Sequence, residues 1–443
     1  MIHRIPGGTL RFRTDVLCAL SAALLGAAGL TACTEQKAPG SEPYADIVAS
    51  VVPKLEKQIG LPFKTPPRIA RKTREEVGAF VMHQLTSERG KAQLAGQQSV
   101  YRLLGLVPDT LDLGQLLQRL LEEQIIGYYD PSAKVLYVVD GSPTLLLDQT
   151  IAHELVHALQ DQYVDIDSIQ GSVDDADRQS AAQAILEGQA VFEQLRLDPN
   201  AGPMLMMPGG WDRIRDVIRD GQGGMPVFAT APRAVREGLL FPYLGGTDFV
   251  RRFVERRPEK ELLTDLPVST KQILNDAAYF TANKASRDTP TRVTLPKPAE
   301  GVVTYSNGFG EFETRLILVQ HLKDESLARR GASGIDGDRY AVVKMPSGEA
   351  FIWASVWDSP VDAADFLDVF FDAIRRRYQM SRQEIAPGSS TRTLAVPAKG
   401  MRAARTVTFR LEKVGGRPVV LFEDTPAGTR SALVDPARIT LAN

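Results

Sequence analysis

Residues 153 to 157 read His-Glu-Leu-Val-His. On a helix, side chains four apart lie on one face, one turn above the other. Two imidazoles so placed can share one Zn²⁺, and a glutamate after the first can reach a water held by the ion. The whole chain has five histidines, His3, His83, His153, His157 and His321, so the pair does not come from a His-rich composition. The chemistry on offer is metal-assisted hydrolysis by one zinc ion, with Glu154 as general base.

That chemistry requires a helix under the motif. Thr144 to Gln162 contains no Gly or Pro, and Leu147, Ile151, Leu155, Ala158 and Leu159 recur at helical intervals. Ser142-Pro143 suits the entry, with Ser142 or Thr144 as cap. A catalytic zinc site uses three protein ligands, whereas a structural one closes with four. No third His follows closely. Arg178 to Leu197 reads as the next helix, with an apolar stripe of Ala181, Ala182, Ile185, Leu186, Ala190 and Val191. Glu187 falls inside that stripe, where an acid is costly unless paired or metal-bound. Gly188 and Ala190 beside it let another helix approach closely. Glu187 is therefore the expected third ligand. Asp161, one turn beyond His157, competes for that place and is expected instead to orient a ligand imidazole through its other ring nitrogen. Tyr163, Tyr243, Tyr279 and His321 are candidates for stabilising an oxyanion.

A His-Glu-x-x-His helix completed by a Glu on a following helix, here in the context Glu187-Gly188-Gln189-Ala190, resembles the gluzincin metallopeptidases. The resemblance covers about 130 residues, from near Pro67 to near Leu197. It implies His153, His157 and Glu187 as zinc ligands, Glu154 as general base and a protein or peptide substrate. Gly127 to Val139 looks like the strand pair that precedes the active helix in many zincins. Physically it reads as a hairpin, two β-prone runs about Asp130-Pro131-Ser132-Ala133. An edge strand beside the metal can bind an extended peptide by adding it to the sheet.

Arg4, Arg11 and Arg13 precede an apolar run from Val16 to Leu30, ending Leu30-Thr31-Ala32-Cys33. This is the layout of a secretory signal. Its last residues resemble a bacterial lipobox, which implies cleavage before Cys33, lipidation of that thiol and anchoring to a membrane surface. Thr34 after the cysteine resembles envelope proteins sent to the outer membrane in Gram-negative cells. The only other cysteine, Cys18, lies in the segment that would be removed. No disulfide, thiolate metal site or cysteine nucleophile is then expected.

With 443 residues, 43% hydrophobic, 24% charged and a net charge of −2, the chain lacks the basic excess of a nucleic-acid partner. The expected fold is α+β. It comprises a signal peptide (1–33), a polar tether (34–43), a zincin-like catalytic domain (44–200), a mainly helical extension packing on it (201–296) and a small α+β domain (297–443). Helix is expected over Arg233 to Arg256 with interruptions at Phe241-Pro242 and Gly245-Gly246, and Met204 to Trp211 as an apolar loop. Beyond Pro296-Lys297-Pro298, hairpins are expected about Ser347-Gly348 and Gly415-Gly416. Asp336-Gly337-Asp338 lacks the alternating acids of a calcium loop and reads as a turn. The rival to a peptidase is a non-catalytic envelope assembly or chaperone-like lipoprotein. Oligomeric state is left open.

Overall fold

The computed structural model describes residues 44–442, apart from 167, 168, 170–173, 382–388, 401, 430 and 431. Cys33, the signal segment and the tether lie outside the described residues. Helix accounts for 53% and strand for 20%, with the strands grouped by region, so the class is α+β. No helix among the described residues is long and apolar enough to cross a membrane.

The first sheet is small and has order β1-β3-β2. β1 (Arg68–Lys72) runs parallel to β3 (Val135–Val139), and β2 (Gly127–Asp130) is antiparallel to β3 with Tyr128 opposite Tyr137. The hairpin turn is held by the Asp130 carboxylate, which accepts from the Ser132 and Ala133 amides at 2.9 and 3.0 Å. Four helices come before the hairpin or between its elements: α1 (Ala45–Ile59), α2 (Arg74–Thr86), α3 (Glu88–Leu103) and α4 (Leu113–Gln124). α2 starts with a reciprocal capping box, Thr73 N to Glu76 Oε2 at 2.8 Å and Glu76 N to Thr73 Oγ1 at 3.2 Å.

α5 (Thr144–Tyr163) carries the His-Glu-x-x-His motif. Its entry residue is Pro143, and no side chain caps it. α6 (Ala176–Leu197) begins two residues before the expected start because Asp175 caps it, accepting from Arg178 N at 3.0 Å. From Ala181 to Leu195 every residue of α6 is buried, the mark of a helix enclosed on all sides.

α7 (Arg233–Arg256) lies against α6 and is unbroken, despite Pro242 and the Gly245-Gly246 pair. A Cβ built on Gly188 would fall 2.2 Å from Gly246 C, and one built on Gly246 would fall 1.9 Å from Ala184 O. The two glycines therefore mark a backbone-to-backbone crossing rather than a break. The hydrogen bond that Pro242 cannot make is outweighed by this packing. Met204 to Trp211 is only partly loop: short helices Ala201–Leu205 and Gly210–Gly221 take up both ends, with Trp211 buried.

The second sheet has six strands, all antiparallel, in the order β5-β6-β7-β10-β9-β8. These are β5 (Val302–Asn307), β6 (Ile335–Met345), β7 (Gly348–Trp357), β8 (Thr391–Val396), β9 (Arg405–Val414) and β10 (Arg417–Pro426). The β6–β7 and β9–β10 hairpins turn at Ser347-Gly348 and Gly415-Gly416. Asp336-Gly337-Asp338 belongs to β6 instead of a turn, at a register irregularity between Ile335 and Gly337. β4 (Arg292–Thr294) pairs with β11 (Thr440–Ala442). α8 (Gly310–Leu322) and α9 (Pro360–Arg377) pack on the six-stranded sheet through rings such as Phe366 and Phe370 on Trp353. One apolar cluster runs unbroken from Val77 to Phe422, across the expected boundary at 297.

Candidate metal centre

The helical rise of α5 stacks His153 over His157, and the α5–α6 packing brings Glu187 to face both. His153 Nε2 lies 3.2 Å from His157 Nε2 and 3.2 Å from Glu187 Oε2, and His157 Nε2 lies 3.4 Å from the same oxygen. Zinc bonds of 2.0–2.1 Å would make the edge of a tetrahedron about 3.3–3.4 Å. Three donors at these separations, two nitrogens and one carboxylate oxygen, fit one face of a tetrahedral zinc site. All three residues are buried.

The far side of each imidazole is also engaged. His153 Nδ1 faces Gln194 Oε1 at 3.1 Å, and His157 Nδ1 faces Gln160 Oε1 at 2.9 Å. An amide oxygen only accepts, so each Nδ1 carries a proton and each Nε2 is turned toward the cluster. Gln160 is itself fixed, donating from Nε2 to Leu186 O at 3.0 Å and to Gln189 Oε1 at 2.9 Å.

Electrostatics follow from this crowding. Burial pulls the His157 pKa down, but the Glu187 carboxylate outweighs it and raises the group to about 9. Burial pushes Glu187 up, but His157 and His153 outweigh it and hold the group at about 2. In the protein alone the cluster is thus an imidazolium–carboxylate pair, and a divalent cation would replace the proton between them. Glu154 is different. It is fully buried, no side chain hydrogen-bonds to it, and burial raises its pKa against the two imidazoles and a backbone hydrogen bond from Tyr129.

Asp161 does not orient an imidazole. Its carboxylate accepts from the Tyr129 hydroxyl at 2.8 Å and from Lys134 Nζ at 2.6 Å, tying α5 to the hairpin. From His157, a step of three residues leads to Gln160 at its ring and a step of four leads away to the sheet. Gln160 and Gln194 were not anticipated, because an amide carries no charge whose burial would flag it. Of the four oxyanion candidates, only Tyr243 is at the cluster, its ring 6.4 Å from that of His153. Tyr163 donates to Pro62 O at 2.6 Å, Tyr279 to Asp265 O, and His321 Nε2 to Leu104 O at 2.8 Å.

Among the described residues, one other group of acids converges, Asp288, Asp336 and Asp358. Cations of the chain already face it: Lys271 Nζ lies 2.6 Å from Asp288 and 2.8 Å from Asp358, and Arg417 lies 2.6 Å from Asp336.

A family model described as a domain of unknown function, DUF8575, matches residues 300–431. The match spans β5 to β10 and none of His153, Glu154, His157 and Glu187. No curated protein and no solved structure matches the chain.

Proposed function

We propose that this chain is a zinc-dependent metallopeptidase of the gluzincin kind, with a zincin-like arrangement over residues 44–200. We further propose that it is exported and anchored by lipid on Cys33 at a bacterial envelope, at the outer membrane in a Gram-negative cell. The observation that carries the enzymatic reading is Glu154, a fully buried carboxylate with no side-chain hydrogen-bond partner, one residue from a converging His-His-Glu set. A buried acid that no side chain hydrogen-bonds weakens a scaffold, and such groups concentrate at functional sites.

Zinc held by His153, His157 and Glu187 would supply a Lewis acid for the scissile carbonyl and acidify water. Glu154 takes the proton from the attacking water and returns it to the leaving amine. Its raised pKa suits that exchange, since a base that is too weak holds no proton to return. Gln160 and Gln194 hold the two imidazoles in register. Tyr243 is the hydroxyl best located to assist the oxyanion. All four residues of β2 are buried, as are His153, Glu154, His157 and Glu187. Admission of a peptide therefore requires the elements around α5 and β2 to open.

That burial also favours a second reading, in which a metal stabilises a non-catalytic envelope assembly or chaperone-like protein. Purified wild type and Glu154→Gln separate the two. The enzyme should bind one zinc in both forms, and only wild type should cleave members of a broad peptide library. Zinc binding by both with cleavage by neither would leave the binding protein standing. Glu187→Ala should abolish the zinc while Asp161→Ala retains it. The opposite pattern would overturn the ligand set.

A further inference from the structure

The stretch from the end of α6 through the helix Gly210–Gly221 exposes apolar side chains that the fold does not use. Met206 and Met207 are 63% and 60% exposed, Met204 is 38% exposed, and Val217 on the helix is 60% exposed. They make up four of the seven exposed large apolar side chains among the described residues, so the apolar surface is concentrated here. Their neighbours Leu205 and Trp211 are buried and supply the packing. The loop is nevertheless fixed in shape. Met207 N donates to Met204 O at 3.0 Å, and Gly210 N donates to Met207 O at 2.9 Å. Gly209 has a φ of 70°, and a Cβ built on Gly210 would fall 1.8 Å from Met204 O. An ordered apolar tip loses little conformational entropy on entering an apolar phase.

We propose that Met206 and Met207 dock this loop on a lipid bilayer, as a second contact beside the lipid on Cys33. The choice of occupant rests on the proposed lipidation. Ten residues, 34 to 43, separate Cys33 from Tyr44. At full extension they reach about 35 Å. α1 has 15 residues, about 22 Å of helix. At its far end Gln58 O accepts from Arg196 Nη1, near the end of α6, at 3.4 Å. The helix Ala201–Leu205 sits against that end, since a Cβ built on Gly202 would fall 2.9 Å from Arg196 O. The loop therefore lies on the order of one tether length from the anchor point. The bilayer is then the apolar phase that it meets at the highest local concentration. On the helix that follows, Arg213, Arg215 and Arg219 are balanced by Asp212, Asp216 and Asp220. The contact is thus apolar and calls for no anionic lipid.

The test uses the full chain in phosphatidylcholine vesicles whose acyl chains are brominated and quench tryptophan at short range. Trp211, four residues past Met207, is the reporter, and Trp353 and Trp357 are buried on β7 of the six-stranded sheet. Wild type should be quenched, equally at about 50 and 300 mM salt. Trp211→Phe should lose that quenching. Met206→Asp with Met207→Asp should fall to the level of Trp211→Phe, while Met206→Leu with Met207→Leu should match wild type. Both pairs replace exposed side chains, so both proteins should fold. Mass spectrometry of Cys33 reads the anchor separately. Quenching with an unmodified Cys33 would remove the anchor and leave the docking; a lipidated Cys33 without quenching would remove the docking alone. Quenching that survives the aspartate pair, or that vanishes at high salt, would also overturn the proposal. So would a dimer, seen by sedimentation without vesicles and broken by the aspartate pair, since the loop would then face a second copy of the chain.

Discussion

Glu154 on α5 and the pair Glu423-Asp424 on β10 are all carboxylates withdrawn from solvent, and their surroundings could hardly differ more. Glu423 accepts from Val434 N at 2.9 Å and from Arg410 at 2.8 Å. Asp424 is bonded by Arg405 and by the Tyr378 hydroxyl. Each buried acid of the sheet thus has donors matched to it, as a scaffold demands. Glu154 has no side-chain donor. Between these extremes stands Glu187, one of whose oxygens is crowded by two imidazoles. The contrast separates acids that hold the fold together from acids placed for chemistry, and it does so without reference to any relative.

The largest effect should come from breaking the scaffold side. Asp424→Ala removes the partner of a mostly buried guanidinium and of the Tyr378 hydroxyl. Loss of one member of a buried pair costs about 3–5 kcal/mol. Urea denaturation should show a drop of that order, and a drop under about 1 kcal/mol would erase the distinction between the two regions. Next comes Gln160→Leu, which frees His157 Nδ1 while leaving all three donors in place. Loss of such an orienting contact weakens metal binding roughly 10- to 100-fold. Competition against a zinc chelator measures this, and unchanged affinity would mean that Gln160 merely packs.

How much of this could be read from sequence depends on what fixes each feature. The motif helix was legible because Thr144 to Gln162 holds no Gly or Pro and keeps a helical period. Glu187 was legible because an acid within an apolar stripe is anomalous by itself. α3 was missed: Gly90, Gly96 and a run of polar residues hide its period, and its tertiary contacts make up the difference. The unbroken α7 was missed for the opposite reason. Pro242 and Gly245-Gly246 look like punctuation, whereas Gly246 is where Gly188 of α6 crosses it. Gln194 reaches His153 from 41 residues away, a relation that only the α5–α6 packing creates.

Asp177 tests the seam between the two regions. It lies on α6, accepts from Thr270 N at 2.9 Å, and stands against Gly310 at the start of α8. Burial lifts its pKa to about 8, over the opposing hydrogen bonds from Thr270. The folded protein therefore keeps a proton that the unfolded chain releases near pH 4. The stabilisation is complete below about pH 4 and is lost as pH rises toward 8. Asp177→Asn keeps the acceptor and removes the titration, so its stability should fall less than that of wild type between pH 5 and 8. The slope removed is on the order of 1 kcal/mol per pH unit. Parallel pH profiles for the two proteins would show that Asp177 is charged in the fold.

The smallest expected change in stability is also the most informative. Glu154→Gln exchanges one buried group without a side-chain partner for another of the same shape, and the amide oxygen can still accept from the Tyr129 backbone. Burial already favours the protonated, neutral carboxyl, which an amide mimics. Unfolding free energy should change by no more than about 0.5 kcal/mol, as for a site with no structural task. Peptide cleavage should nevertheless disappear, because an amide cannot accept the proton. A fall in stability comparable to that of Asp424→Ala would move Glu154 to the scaffold side and remove the physical reason for assigning it to catalysis.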